Sequence, residues 1–450
     1  MQTVAEVNAI LDAEAPLLAR FLSRLGRDAF FPPDIPFQAQ EARGTTYNGT
    51  IGVFTDGAGG AVPLPSMSRA FELDAQDLSR AFLYSPVVGL PELRRAWASW
   101  QRGGQLCGEE IDAAAPTSLP VVTCGLSHGL SLIADLFGQP GRGLSVVSPY
   151  WGNYRQIYTM RTGTAVHTAP AYADGVWRPE ALPELLATLS DESGESGGSD
   201  EPTMALVNFP SNPGGYMPTA DERRRLVDGL LRIADQRPLL VLSDDAYSGL
   251  VYADDAPSRS LFWDLAGRHE NLLAVKLDGA TKEFSFFGGR VGFVTFGLEL
   301  SERAQSALDN KFASMIRSTV GSPVASSQVV LLQSLRGDAE AEVNDVRRVA
   351  RARYDAVMPV LETVDRALLR PLPFNAGFFV LMELPEELGL DPHDVRRYLI
   401  ARHDVGIVGA QPNYLRLATC SVAAEMLPEM MRRIEAGVRE LAGEQIAAGT

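Results

Sequence analysis

From about residue 119 the chain repeats one pattern: a short, almost unbroken apolar run, then a stretch whose apolar residues recur at helical spacing. The runs are LPVVTC (119–124), LSVVS (144–148), TAVHTAP (164–170), MALVNF (204–209), PLLVLSD (238–244), LLAVKLD (272–278) and VGFVTFG (291–297). A strand with one wet face alternates polar and apolar residues. Runs this continuous need cover on both faces, which is how a mostly parallel sheet between helical layers reads. The spacing predicts helices over 127–137, near 179–189, and at roughly 300–315, 322–336 and 339–365. Strands near FFVLMEL (378–384) and YLRLATC (414–420), with a helix over 424–442, make a smaller α+β domain. The fold class expected is therefore α/β, a mostly parallel central sheet with helices on both faces, plus that smaller domain.

Ahead of this pattern, residues 1–44 read as a helical, partly irregular arm, and TIGVFTD as an extended stretch ending in the turn-forming DGAGG at 56–60. Those glycines open no helix, so they predict a hairpin turn and not a nucleotide loop. In GLPELRRAWASWQR, Pro91 suits a first helical turn, and Leu90, Leu93, Trp97 and Trp100 form a core-facing stripe. DESGESGGSDEP (191–202) reads as a mobile surface loop. The expected division is an arm with part of the small domain at 1–60, a large ligand-binding domain at 61–335, and the rest of the small domain at 336–450.

Several functions are disfavoured by composition. A net charge of −16 over 450 residues argues against a nucleic-acid partner, because polyanions are bound by neutralising them. Cys107, Cys124 and Cys420 are too widely spaced for a disulfide framework or a zinc knuckle, and the five histidines have no metal-ligand spacing. Neither a signal peptide nor a run of the roughly 20 apolar residues a membrane helix needs is present, so the expectation is a cytoplasmic protein. Only three of the 40 basic residues are lysines: Lys276, Lys282 and Lys311. Chemistry that needs an amine has few places to go.

In an open α/β sheet, ligands bind at the carboxyl ends of strands and at nearby helix N-termini. Asn212, Asp244, Tyr247, Lys282, Arg290 and Ser127 all fall at such positions. An amine for an imine, a carboxylate to keep a ring nitrogen protonated, a phenol and an amide for a ring hydroxyl, and a hydroxyl, a guanidinium and a helix start for a phosphate are what pyridoxal phosphate requires. Lys276 sits mid-strand and Lys311 on a polar helix face, which leaves Lys282 for the imine.

With those residues in place, the chain resembles the class I/II aminotransferases, the fold-type I pyridoxal-phosphate enzymes related to aspartate aminotransferase, from about residue 45 to 420. CGLSHGL resembles the family's phosphate-binding turn, implying Gly125, Leu126 (backbone only) and Ser127. SPYWGNY implies Trp151 stacking on the ring, and NFPSNPGG implies Asn212. SDDAY implies Asp244 and Tyr247, and KEFSFFGGRVGF implies Lys282 and Arg290. YLRLA implies Arg416 on the substrate α-carboxylate, and TIGVF implies Gly52 near substrate. YSPVVGLPELR implies Tyr84 reaching the phosphate of a neighbouring subunit, hence a homodimer. MIRSTVGSP implies Arg317 as a cross-subunit contact for an acidic side chain.

One departure stands out: the family's serine three residues before the lysine is Gly279 here, so that hydrogen bond is absent or comes from Thr281. The activity implied is transfer of an α-amino group between an amino acid and a 2-oxo acid, with Lys282 carrying the α-proton. Lyase or decarboxylase chemistry on the same fold, or a regulatory protein without turnover, are the alternatives.

Overall fold

The computed structural model describes residues 3–449 apart from 32–33, 58, 104–113 and 193–201. Its centre is a seven-stranded sheet built from β1 (Val121–Thr123), β2 (Gly143–Ser148), β3 (Ala165–Pro170), β4 (Thr203–Asn208), β5 (Leu239–Asp244), β6 (Leu272–Gly279) and β7 (Gly292–Phe296). The order across the sheet is β1-β7-β6-β5-β4-β2-β3. Strands β2 to β6 pair in parallel, whereas β7 is antiparallel to both β6 and β1. Each of these strands follows one of the apolar runs, and the expected α/β class holds. Strand β5 is buried at every residue, as its apolar sequence requires.

Register decides what this sheet presents at its edge. Asn208 pairs with Asp244 at the ends of β4 and β5, and Gly279, the last residue of β6, pairs with Gly292, the first of β7. Gly292 in turn pairs with Thr123, the last residue of β1. The segments that follow β1, β4, β5 and β6, and the one that precedes β7, therefore emerge along one edge.

On one side α1 (Pro91–Arg102) packs with Pro91 in its first turn. Trp97 of this helix is fully buried and stacked on Phe293 at 4.2 Å between ring centroids. On the other side α2 (Leu126–Phe137) buries Leu130, Leu132 and Ile133.

A second, four-stranded antiparallel sheet holds β8 (Arg370–Pro371), β9 (Phe379–Glu383), β10 (Val408–Ala410) and β11 (Tyr414–Ala418), in the order β8-β9-β11-β10. The N-terminal segment belongs to this sheet's surroundings. Tyr47–Asn48 pairs in parallel with Val405–Gly406, Ala418 donates to the Gly49 carbonyl at 2.8 Å, and Thr55 donates to that of Cys420 at 3.1 Å. The expected turn at 56–60 is present, with Thr55 bridging Ala61 and Asp56 donating to the Gly60 carbonyl.

The arm consists of short helices at Val4–Glu14, Pro16–Phe21, Arg24–Asp28 and Ile35–Glu41. The sequence reading missed a small ribbon, Tyr172–Ala173 against Val176–Trp177. Its turn carries positive φ at Asp174 and Gly175, the Asp-Gly pairing that favours such turns. Most of the acidic stretch 191–202 and Cys107 lie outside the described residues. Among the described residues no helix is long and apolar enough to cross a membrane.

Candidate active site

Lys282 lies in α3 (Ala280–Glu283), a single turn opened by the end of β6. Its Nζ sits 5.4 Å from the centre of the Tyr247 ring and 6.0 Å from that of Phe287. Burial holds this amine below the usual lysine range, against the pull of Asp244. Lys276 occupies a different world. It is buried and ion-paired with Asp278 and, at 3.1 Å, with Asp245.

That pairing also separates the two adjacent acids. Asp245 is engaged by Lys276 and by the Ser243 hydroxyl at 2.9 Å. Asp244 points elsewhere, accepting from the Tyr154 hydroxyl at 2.6 Å and the Ala246 N–H at 3.2 Å. Successive residues at a strand end face opposite ways, so one acid serves each side. Burial pushes the Asp244 carboxyl up to about 6, with the Tyr154 and Ala246 hydrogen bonds working against it. A carboxylate this deep is stabilised by a cation beside it, such as a protonated ring nitrogen.

At the other end of the cleft, Gly125 takes φ 83 and precedes the first turn of α2. A Cβ there would lie 2.4 Å from Nη2 of Arg290, so the absent side chain is what lets the guanidinium reach the helix start. Ser127 is half-buried in the same turn. Free N–H groups at a helix start and an arginine together suit a phosphate dianion.

Gly279 has a steric reason as well. A Cβ would meet the Val291 carbonyl at 2.5 Å and Gly292 Cα at 2.8 Å, where the end of β6 pairs with the start of β7. The serine expected from the resemblance has no room. Thr281, the expected substitute, is buried two residues further on.

Arg416, mid-strand in β11, is 3% exposed and stacks at 4.3 Å over the Phe379 ring. It donates to the Asn212 side-chain oxygen at 3.3 Å and to the Thr50 carbonyl at 2.8 Å, and its Nε has no partner. Burial lowers its pKa. No carboxylate lies within ion-pair distance of it among the described residues. A buried guanidinium held only by neutral oxygens is a binding site for a carboxylate. Gly52 lies beside it, where a Cβ would be 2.6 Å from the Phe379 ring.

Lys282, Asp244, Tyr247, Arg290, Gly125, Ser127, Asn212, Arg416 and Gly52 are thus gathered along one cleft. Trp151 is half-buried with its ring edge-on to Tyr154 at 5.5 Å. Tyr84 is 94% exposed, and Arg317 lies exposed at the end of the helix Glu302–Thr319. Neither makes a contact within this cleft.

The sequence reading missed Tyr154 and Phe379. Only the three-residue step from Trp151, which returns a helical side chain to the same face, hinted at Tyr154. The donor set fits pyridoxal phosphate: an amine near a buried acid, a helix start that Gly125 leaves open to Arg290, and a buried arginine with no carboxylate partner among the described residues.

The family model for aminotransferase class I and II matches residues 50–434. An aspartate/prephenate aminotransferase of Thermus thermophilus is 25% identical over 304 residues, covering 67% of this chain and 68% of that protein. An aspartate aminotransferase of Pyrococcus abyssi is 23% identical over 383 residues, covering 84% and 89%. Among solved structures, a kynurenine aminotransferase of Pyrococcus horikoshii in complex with PMP superposes with a TM-score of 0.76 at 19% identity, covering 94% of this chain and 98% of that one.

Proposed function

This chain belongs to the class I and II aminotransferases, and we propose that it works through pyridoxal phosphate held covalently by Lys282. The observation that carries the assignment is the opposite surroundings of two lysines, one buried and one half-buried. Lys276 is committed to two carboxylates, whereas Lys282 faces the cleft with a depressed pKa. A depressed pKa keeps the amine unprotonated at lower pH, ready to bond an aldehyde. The cofactor named in the Pyrococcus horikoshii structure supports the same reading.

When bound, the cofactor supplies an aldehyde that takes up an amino group and a ring that accepts the electron pair left at Cα. Asp244 holds the proton on the ring nitrogen, and the charge of that nitrogen offsets the cost of burying the carboxylate. Asn212 and Tyr247 would hydrogen-bond the ring hydroxyl, and Trp151 would pack against the ring. Gly125, Leu126 and Ser127 offer the helix start, with Arg290 beside it, to the phosphate. Arg416 would hold the substrate α-carboxylate and so orient the Cα–H bond for attack. Lys282 would take the proton from the substrate Cα and deliver it to the former aldehyde carbon, two atoms along.

The enzyme is a cytoplasmic homodimer in this reading, with the domain division at residues 61 and 336. Tyr84, and Arg317 for an acidic side chain, serve the neighbouring subunit. Aspartate or glutamate is one amino donor, in line with the names of the relatives. The test is a half-reaction: the cofactor-loaded protein is mixed with glutamate in the absence of any acceptor. About one equivalent of 2-oxo acid per subunit is expected, with loss of the aldehyde absorbance. Release of carbon dioxide or ammonia instead contradicts the assignment.

A further inference from the structure

Behind the cleft, against α1, lies a buried ionic group that the proposed reaction does not use. Lys276 and Asp278, two residues apart on one face of β6, meet Asp245 from the end of β5. All three are 4% exposed or less. Asp278 also accepts from the Trp97 indole at 3.0 Å and the Gln101 amide at 2.8 Å. Asp245 takes the Ser243 hydroxyl, and its N–H donates to the Leu277 carbonyl at 2.8 Å. A cavity of about 30 Å³, room for a water molecule, is lined by Lys276, Asp278, Glu283 and Arg347 among others. The group touches the site through the chain itself. Asp245 follows Asp244, and β6 runs from Lys276 through Asp278 into the turn that carries Lys282.

Resting on the function proposed above, we propose that Lys276 is a positioning residue whose charge offsets Asp245 and Asp278, so that Asp244 is the carboxylate that governs the ring nitrogen and the Lys282 linkage. Burial works against the Lys276 ammonium, yet Asp278 and Asp245 outweigh it and push its pKa up. With three ionised groups the cluster carries one net negative charge. Removing Lys276 makes it two, and removing one carboxylate makes it zero.

The other groups near Lys282 are Asp244, Arg290, Tyr247 and Cys420, and those near Asp244 include Tyr154 and Tyr158. Glu283 faces the cluster from α3, where the Trp100 indole donates to it at 3.1 Å and Arg347 lies 3.9 Å away. None of these changes in the variants below.

The experiment is a spectrophotometric pH titration of bound pyridoxal phosphate without substrate, with Tm recorded alongside. In Lys276→Met the midpoint moves up, by about half a pH unit or more, because added negative charge favours the protonated linkage. In Asp245→Asn it moves down. The double variant Lys276→Met/Asp245→Asn keeps the wild-type net charge and returns close to the wild-type midpoint, as does Lys276→Arg. Should Lys276→Met fail to fold, the opposite shifts expected of Asp245→Asn and Asp278→Asn still decide the matter. Midpoints that stay put while Tm falls overturn the inference and leave the functional reading intact. A wild-type protein that forms no titrating chromophore overturns both.

Discussion

Asp244 sits where the chemistry needs a charge and the protein interior resists one. Its carboxyl titrates at about 6 in the folded chain, against an ordinary value of 3.8. A raised folded value means that stability is greatest below pH 3.8 and is lost as pH rises through 6. Asp244→Asn removes that loss. The cofactor-free variant is therefore expected to match the wild type near pH 4 and to become more stable above pH 6, by up to about 3 kcal/mol, as read by urea denaturation. A constant difference across pH 4 to 8 contradicts the buried, cation-seeking acid. Cofactor binding should reverse the ranking, because the ring nitrogen then has no carboxylate to hold its proton.

Much of this site could be read before any fold was known, since a strand end, an amide, an acid, a phenol and an amine in order leave few other uses. What stayed hidden were partnerships. Nothing in residues 245, 276 and 278 announces that they meet in space, so the sequence placed Lys276 mid-strand and gave it no partner. Tyr154 carried no mark beyond its step from Trp151.

Between elements, one close approach lies where β6 and β7 diverge around the lysine turn. Gly279 is the residue that lets them meet, and a Cβ there collides with backbone, which cannot swing away as a side-chain tip can. Gly279→Ser, which restores the hydroxyl of the wider family, is therefore expected to lower stability by about 1–3 kcal/mol without tightening cofactor binding. A thermal melt and a cofactor titration check both halves. Stability unchanged with tighter binding would show that the strands have slack.

The glycine itself was visible in the sequence as a departure. Its cause was not, because the pairing of Gly279 with Gly292 comes from a strand reversal that periodicity does not encode. The Tyr172–Trp177 ribbon was legible in Asp174–Gly175, yet its strands are only two residues long, below what an alternation pattern can register.

For the assembled chain, the exposed run Phe82, Leu83 and Tyr84 is costly to leave in water and fits an interface between two copies. Phe82→Asp is expected to give monomers by sedimentation velocity and to weaken cofactor binding, the outcome that follows from the proposed reach of Tyr84 into a neighbouring subunit. A dimer that persists with full affinity would place the interface elsewhere.

The account as a whole rests on which amine bonds the cofactor. Load the protein with pyridoxal phosphate, reduce it with borohydride, digest it, and locate the added mass. A single modified peptide, carrying the adduct at Lys282, is predicted, with none in Lys282→Ala. An adduct at Lys276 or Lys311, or an unmodified chain, contradicts it.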